Sequence, residues 1–437
     1  MMLLTTGSSG PQTELLQTAL NRAGFGPLTV DGVFQSKTRA ALVRFQKANG
    51  LNPDGVAGPR THEALMPWYT GYRTHTLRRG DTFYRLAAAY GTTVAAIETA
   101  NPTADPLRLP IGGKLTIPLP FPVVSTQVRW FSEYTRLCCR GLTARYPALA
   151  STGEYGRSVL EQPLWQLTLG NGKNRVLYNA SHHANEWITT PLLLTFAEQL
   201  LAAAASGGTI FDYPAAALLQ ESTLLLAPAV NPDGIDLVTG ALENNAAYLS
   251  AFRLSRNYPD IPFPDGWKAN IQGVDLNLQY PAGWSTAKSI KFAQGFTLPG
   301  PRDYVGSAPL AAPESRALYD LTLAFDPALT LSLHTQGRVI YWKFLNYEPE
   351  NSRQIAMLFS RVSGYEVEET PYSSGFAGYK DWFIQEYDRP GYTIESGLGT
   401  NPLPLSQLPQ MQKECLGIFV LGARVTADGV ELAQLGG

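Results

Sequence analysis

The sequence predicts a multidomain chain in which a small three-helix domain and a βααβ module precede a large α/β domain built as a sheet covered by helices. Three observations predict it. The 437 residues exceed what one ordinary core organises, at roughly 100–200 residues per domain. The segment from Asp31 to Leu42 returns 23 residues later as Asp54 to Leu65. Beyond residue 125, apolar strand-like runs alternate with helical stretches to the end of the chain.

The repeat defines the first domain, residues 7–68. Each copy begins with Asp-Gly, which supplies a turn, and continues into a helix that starts near Ser36 or at Gly58-Pro59. Ala41, Leu42 and Phe45 fall on one helical face, as do Leu15, Leu16, Ala19 and Leu20 in an earlier helix. The order of Asp31-Gly32, Phe34, Thr38, Phe45-Gln46, Gly50-Leu51 and Asp54-Gly55-Val56 resembles the peptidoglycan-binding domain of bacterial wall hydrolases.

A short linker from Trp68 to Arg73 is expected to lead into the second module, residues 74–119. His75 to Leu77 read as a strand, Gly80-Asp81-Thr82 as a turn capping a helix, Val94 to Ile97 as a second helix and Lys114 to Pro118 as a closing strand. With Asn101-Pro102 in place, this order resembles the LysM domain. The resemblance implies binding of glycans containing N-acetylglucosamine in a groove between the Gly80-Asp81-Thr82 loop and the loop after Asn101-Pro102. Pro118, Pro120 and Pro122 then read as a stiff linker.

Composition excludes several classes of function. Lys plus Arg number 34 against 36 Asp plus Glu, so nothing drives binding to nucleic acid through phosphate neutralisation. The front of the chain is the cationic part. Residues 1–120 hold 12 Lys or Arg and 7 Asp or Glu, a mild excess that suits an anionic wall surface. No apolar run reaches the length of about 18 residues that a membrane span needs. The first residues lack the charged and apolar regions of a signal peptide. Three cysteines, two of them adjacent at 138 and 139, form neither a disulfide framework nor a CxxC metal site.

In the large domain, residues 125–433, the runs Val176 to Tyr178, Thr223 to Leu226, Leu329 to Leu333 and Tyr392 to Ile394 read as strands. Leu192 to Ala204 reads as a long helix, and Asn231-Pro232-Asp233-Gly234 as a turn. Ligands of such sheets sit beyond the carboxyl ends of the strands. That rule selects His183 and Glu186, three residues apart after the first run, and His334, directly after Leu333. Two His and one Glu with a fourth position open is the layout of a catalytic zinc site. Glu395 closes the run at Tyr392, where a carboxylate can serve as general base. Asp275, in Gly273-Val274-Asp275, can hold the far nitrogen of a ligand His.

The ordered motifs HxxEW, NPDG, GVDxN, a strand-end His, a Tyr before GxxDW and a strand-end Glu resemble the zinc carboxypeptidase (carboxypeptidase A-like) family. The resemblance implies a mixed sheet flanked by helices, and one Zn²⁺ held by His183, Glu186 and His334. Glu395 would activate the attacking water and Asp275 would orient His183. Asn277 would lie in the substrate cleft, with Tyr372 near the family's mobile Tyr. His182 points away as a structural residue, and His62 and His75 carry no expected role.

Departures from the family narrow the substrate. Where the family holds a terminal carboxylate with an Arg after the Asn of GVDxN, this chain has Leu278. Asn185 and Lys268 replace two further arginines. Lys268 is left to polarise the scissile carbonyl. Lys380, just before Asp381-Trp382, is a cation suited to an acidic substrate. The whole architecture resembles the bacterial γ-D-glutamyl-L-diamino acid endopeptidase group, which implies a zinc-dependent peptidoglycan hydrolase cleaving the γ-D-glutamyl–diamino acid (diaminopimelate or Lys) amide at the cell wall or spore wall, by an export route left open. The alternatives are a metallocarboxypeptidase removing single terminal residues and a non-catalytic wall-binding protein.

Overall fold

The computed structural model describes residues 2–242 and 245–425, so residues 426–433 of the expected third domain lie outside the described residues. The chain divides into two compact units. One runs up to Arg129 and includes Glu133–Ser151; the other comprises Trp130–Ser132 and the residues from Thr152 on.

The first unit opens with helices α1 (Pro11–Arg22), α2 (Ser36–Ala48) and α3 (Pro59–Thr70). Their buried stripes are the expected ones, with Leu15, Leu16, Ala19 and Leu20 of α1 and Ala41 and Leu42 of α2 fully buried. Each Asp-Gly turn is held by a buried glutamine. Gln17 Nε2 donates to Asp31 Oδ1 at 2.7 Å while its Oε1 accepts from the Gly32 amide at 3.0 Å. Gln46 repeats this, donating to Asp54 Oδ1 at 2.9 Å and accepting from the Gly55 amide at 2.9 Å. Net hydrogen bonds of about 1 kcal/mol each thus fasten both turns to the helix before them.

The βααβ module follows as β1 (Tyr72–Thr76), α4 (Phe83–Tyr90), α5 (Val94–Ala100) and β2 (Lys114–Pro118), with β1 and β2 antiparallel. Its own core is Leu77, Phe83, Leu86, Ile97, Leu115 and Ile117. The two expected linkers are corrected. Trp68 belongs to the last turn of α3, and one left-handed residue, Gly71, turns that helix directly into β1. The proline segment is not a free spacer. The Leu119 amide donates to Gly71 O at 2.9 Å, Arg22 donates to Pro122 O at 2.7 Å, and Phe121 stacks on Trp68. Helix α6 (Ser132–Arg145) follows.

The second unit is organised by an eight-stranded mixed sheet. Its strands are β3 (Ala150–Arg157), β4 (Pro163–Leu169), β5 (Asn174–Ala180), β8 (Ser222–Ala227), β9 (Leu329–His334), β10 (Val339–Tyr341), β11 (Glu366–Glu368) and β12 (Gly391–Glu395), in the order β11-β10-β12-β9-β5-β8-β4-β3. A separate two-stranded hairpin consists of β6 (Thr209–Ile210) and β7 (Tyr213–Pro214). The four central strands β12, β9, β5 and β8 are parallel. They read as almost continuous apolar runs because both faces are covered. Leu177 packs into the cluster containing Tyr379, Trp382 and Phe383 of α14 (Tyr379–Tyr387). Its neighbour Tyr178 turns to the other face, where its hydroxyl donates to Phe419 O of α15 (Leu408–Ala423) at 2.8 Å.

Connecting helices are α7 (Thr189–Ala205), which extends the expected Leu192–Ala204 by a turn, α8 (Ala215–Glu221), α9 (Pro232–Thr239), α10 (Ala246–Ser255), α11 (Trp284–Ala293), α12 (Pro313–Phe325) and α13 (Ser352–Ser363). The expected NPDG turn is instead a helix start. Asn231 caps α9 by accepting from the Gly234 amide at 3.1 Å, with Pro232 at the first helical position.

Glu314, in the first turn of α12, is fully buried and accepts hydrogen bonds from the Val159 amide and Asn270 Nδ2. Burial outweighs these donors and pushes its pKa up to about 7. A carboxyl raised on folding keeps its proton in the native state while the unfolded chain has lost it. Stability therefore falls as pH rises from the ordinary value of 4.5 through about 7. The expected contribution is up to about 3 kcal/mol over that window. Urea unfolding of wild type and E314Q between pH 4.5 and 7.5 should show this part of the slope missing from the variant, whatever its absolute stability. Parallel pH profiles would contradict the assignment.

Candidate metal centre

Three neighbouring parallel strands end at the same level. Ala180 of β5 pairs with Leu333 of β9, and His334 of β9 pairs with Glu395 of β12. After β5 the chain makes a single 3-10 turn, Ala184–Glu186, with His183 at its cap. The turn aims His183 and Glu186 at His334. His183 Nδ1 lies 2.9 Å from Glu186 Oε1, His334 Nδ1 lies 2.8 Å from Glu186 Oε2, and the two Nδ1 atoms are 3.2 Å apart. Ligand atoms around a tetrahedral ion with bonds of about 2.0–2.1 Å stand about 3.3 Å apart. The triangle therefore fits Zn²⁺, with His and carboxylate donors of the right kind.

The surroundings fix each of the three side chains. Asp275 Oδ1 meets His183 Nε2 at 3.2 Å, which orients the ring and leaves Nδ1 for the metal. Buried His182 stacks on His334 with centroids 5.7 Å apart, and its Nε2 meets Tyr280 Oη at 3.1 Å. Lys268 Nζ sits 3.1 Å from Glu186 Oε1. Burial works against a charged His183, but Glu186 and Asp275 outweigh it and raise its pKa to about 9. Burial, followed by the repulsion of Glu186, pushes Glu395 up to about 8, against the pull of Lys268 and His183. A dication beside these groups favours neutral imidazole and ionised carboxylate.

A short loop carrying cations, without a motif in the sequence, completes the cleft. The Lys268 and Ala269 amides both donate to Pro301 O, at 2.7 and 2.9 Å, and the Asp303 amide donates to Asp275 Oδ2 at 3.2 Å. This holds Arg302 and Asp303 against the metal ligands' partners. Gly273 makes the approach possible, since a Cβ there would stand 2.6 Å from the Gly300 amide nitrogen, and its φ of +78° suits glycine. The cleft has a volume of about 240 Å³, and Lys268, Lys291, Arg302 and Lys380 all line it. Arg302 Nε pairs with Asp303 Oδ2 at 2.7 Å and Lys291 Nζ with Asp303 Oδ1 at 2.6 Å. One acid thus faces two cations. Asn231 ties the loop down from the other side, donating to His182 O and Ala269 O.

The remaining expected substrate residues divide. Asn277 and Lys380 line the cleft. Asn277 Oδ1 also accepts from the Tyr379 amide, while Lys380 Nζ donates to Asp381 Oδ1 at 2.6 Å and Lys343 O at 2.7 Å, so its charge is already answered within the chain. Tyr372 is 67% exposed and lines a neighbouring hollow with Phe344 and Thr370 instead.

In the βααβ module, Asp81 accepts from the Arg78 amide and meets His75 Nε2; Thr82 caps α4 through the Arg85 amide. Asn101 bridges α5 to β2 through Ile97 O and both backbone groups of Thr116. These three side chains are engaged by their own backbone. Gly80 and Pro102 stand exposed in the same two loops.

Residues 137–416 match the zinc carboxypeptidase family model. The chain belongs to the zinc carboxypeptidase family. It is a zinc metallopeptidase, and ahead of the catalytic region residues 9–65 match a putative peptidoglycan binding domain and residues 75–118 a LysM domain. It is 47% identical over 281 residues to a protein of Lysinibacillus sphaericus named gamma-D-glutamyl-L-diamino acid endopeptidase 1, spanning 64% of this chain and 69% of that one. It is 40% identical over 272 residues to YqgT of Bacillus subtilis (strain 168), which is uncharacterised, spanning 62% and 70% of the two chains. The fold is similar to that of carboxypeptidase A from Helicoverpa armigera, with a TM-score of 0.53 at 17% identity, covering 96% of this chain and 97% of that chain.

Asp275 gives the centre its own test. D275N should lower zinc affinity about 10- to 100-fold, read by competition with a chelator, with the far-UV circular dichroism unchanged. Wild-type affinity in the variant would separate Asp275 from metal binding.

Proposed function

We propose that this zinc metallopeptidase hydrolyses the amide between γ-D-glutamate and a diamino acid, diaminopimelate or lysine, in peptidoglycan stem peptides, with one Zn²⁺ held by His183, Glu186 and His334. The observation that carries the proposal is the pairing at one wall of the cleft. Leu278 stands where an arginine would grip a terminal carboxylate, and of the four cations and four carboxylates that line the 240 Å³ space, Arg302 and Lys291 share the single acid Asp303. A γ-linked D-glutamate keeps a free α-carboxylate beside the scissile amide, and diaminopimelate adds more. The name of the Lysinibacillus sphaericus relative supports the same bond. The two wall-binding regions suit the same polymer, and they favour an extracellular cell-wall or spore-wall location.

When bound, Zn²⁺ polarises the substrate carbonyl and acidifies water. Glu395, at the end of β12 opposite His334, takes a proton from the attacking water. The water oxygen bonds to the carbonyl carbon, the C–N bond breaks, and Glu395 returns the proton to the leaving amine. Lys268, across Glu186 from the imidazoles, stabilises the negative oxygen that develops on the carbonyl. Asn277 and Lys380 are assigned to orienting the substrate, and Tyr372 to contacting it from the adjoining hollow. Gly80, Asp81, Thr82, Asn101 and Pro102 frame the glycan groove of the LysM region through their loops, whose shape the side-chain bonds of Asp81, Thr82 and Asn101 maintain. The three functional regions are residues 7–68, 74–119 and 125–433.

E395Q should fold and retain zinc yet lose turnover by about 10²–10⁴-fold. Digestion of purified muropeptides followed by mass spectrometry identifies the bond: release of a fragment beginning with the diamino acid supports the endopeptidase. Loss of one terminal amino acid supports the single-residue carboxypeptidase instead.

Arg302 is the proposed partner of the D-glutamate α-carboxylate. R302A should raise KM on the order of tenfold for a stem peptide with that carboxylate free, and leave KM for its α-amidated counterpart unchanged. Equal effects on both substrates would remove Arg302 from recognition.

A further inference from the structure

The first unit holds a second cleft that the reaction does not use. Its volume is about 370 Å³, larger than the metal cleft, and it is lined by Arg22, Trp68, Arg73, Tyr90, Phe121, Ala89 and Leu119-Pro120. It lies where α3 turns into β1, so α1, α3, β1, α4 and the proline segment each contribute a wall. None of Gly80, Asp81, Thr82, Asn101 and Pro102 lines it.

Its walls are fixed before any ligand arrives. Trp68 and Phe121 stack with centroids 6.1 Å apart and planes 30° apart. Arg22 covers the Phe121 ring at 4.5 Å and is committed to the backbone, donating to Trp68 O at 3.0 Å and Pro122 O at 2.7 Å. Tyr90 Oη is engaged by His75 Nδ1 at 2.9 Å. Arg73 differs from all of these. Its guanidinium lies over the Trp68 ring at 5.6 Å, and among the described residues it has no hydrogen-bond or ion-pair partner. No carboxylate lines the cleft.

A planar cation lying over an indole, with its N–H groups unspent, is prepared for a carboxylate. The aromatic and proline surfaces beside it suit the C–H faces of a sugar ring. We propose that this cleft binds an oligosaccharide of acetylated amino sugars that carries a free carboxylate, with the carboxylate on Arg73 and the adjoining ring against Tyr90, Leu119 and Pro120. Such a glycan is the strand of the polymer named in the preceding section, on which this inference rests. The excess of 12 Lys or Arg over 7 Asp or Glu in residues 1–120 favours the same anionic ligand. Its volume falls within the range of about 300–1,000 Å³ typical of small-ligand sites.

The test is calorimetric titration of the full-length, zinc-loaded protein with two probes: a peptide-free peptidoglycan tetrasaccharide bearing its lactyl carboxylates, and neutral chitotetraose. R73A should weaken binding of the carboxylated probe about tenfold or more and leave chitotetraose binding and muropeptide turnover unchanged. R73K should recover part of the loss. Unchanged affinity of R73A for the carboxylated glycan, with normal muropeptide turnover, overturns the cleft alone. Equal weakening for both probes overturns the carboxylate assignment. A wild-type protein that cuts no muropeptide overturns the cleft together with the function it rests on.

Discussion

The site depends on parallel pairing in register at the centre of the sheet. β9 lies between β5 and β12, and the register sets Ala180 against Leu333 and His334 against Glu395. Side chains alternate faces along a strand, so a slip of one residue would turn His334 away from Glu186 and bury it among the apolar side chains of the opposite face. The register is enforced by burial. Leu329, Leu331 and Leu333 are fully excluded from solvent, as are Val176, Leu177 and Tyr178, and because the leucines of β9 alternate with Thr330 and Ser332, displacing that strand by one position exchanges leucine for a hydroxyl side chain on one covered face and the reverse on the other. Three chemical groups separated by about 200 residues of chain are therefore positioned by the ordinary hydrophobic effect acting on three short strands.

That frame makes it possible to keep an anionic centre buried. Glu186 is only 1% exposed and touches His183, His334, Lys268 and the Thr335 amide. A buried carboxylate is costly unless it is paired and hydrogen-bonded, and here each partner is itself anchored. His183 is held by Asp275 and His334 by the stacked ring of His182; Ala184 donates from its amide to Lys268 O. Asn231 Nδ2 links His182 O to the same segment through Ala269 O. Removing Asp275 or Lys268 leaves a buried charge uncompensated, and removing His182 takes the stacked neighbour from the His334 ring.

Residues fixed by local pattern were legible in the sequence. Strand-end positions of His334 and Glu395 follow from apolar runs that stop at them. The pair His183 and Glu186 follows from spacing; two of the three short helices of the first domain follow from the repeat, and the earliest from the shared face of Leu15, Leu16, Ala19 and Leu20. What the sequence hid was tertiary. Arg302 lies in a loop with no regular element, 34 positions after Lys268, and only the hydrogen bonds of the Lys268 and Ala269 amides to Pro301 O bring the two together. The junction from Trp68 to Arg73 reads as a linker because Gly71 interrupts the helix pattern, yet that single left-handed residue joins α3 to β1 without any intervening loop. Asn231-Pro232-Asp233-Gly234 carries turn residues that serve equally well as a helix cap, and the choice is made by the backbone groups at the end of β5 that Asn231 also binds. Lys380 reads as a free cation, because a sequence does not reveal that its neighbour Asp381 will fold back to neutralise it.

The pairing of Lys380 shifts the weight of recognition within the cleft. A cation whose hydrogen bonds are already made to Asp381 and Lys343 O must give one up to take a substrate carboxylate, and that exchange cancels much of the gain. Arg302 is differently placed. Only one edge of its guanidinium is used by Asp303, and Lys291 shares that same carboxylate, so the Arg302, Lys291 and Asp303 cluster retains one net positive charge facing the cleft. The side chain is about two-fifths exposed, which leaves the remaining N–H groups within reach of an entering ligand. Relative to an arginine after Asn277, this cation approaches from the loop that packs on Lys268. In the proposed reading, a carboxylate held there would belong to a residue whose scissile bond lies over His183, Glu186 and His334. An internal γ-linked amide satisfies that arrangement, whereas a C-terminal residue requires its charge to be met on the side where Leu278 now stands.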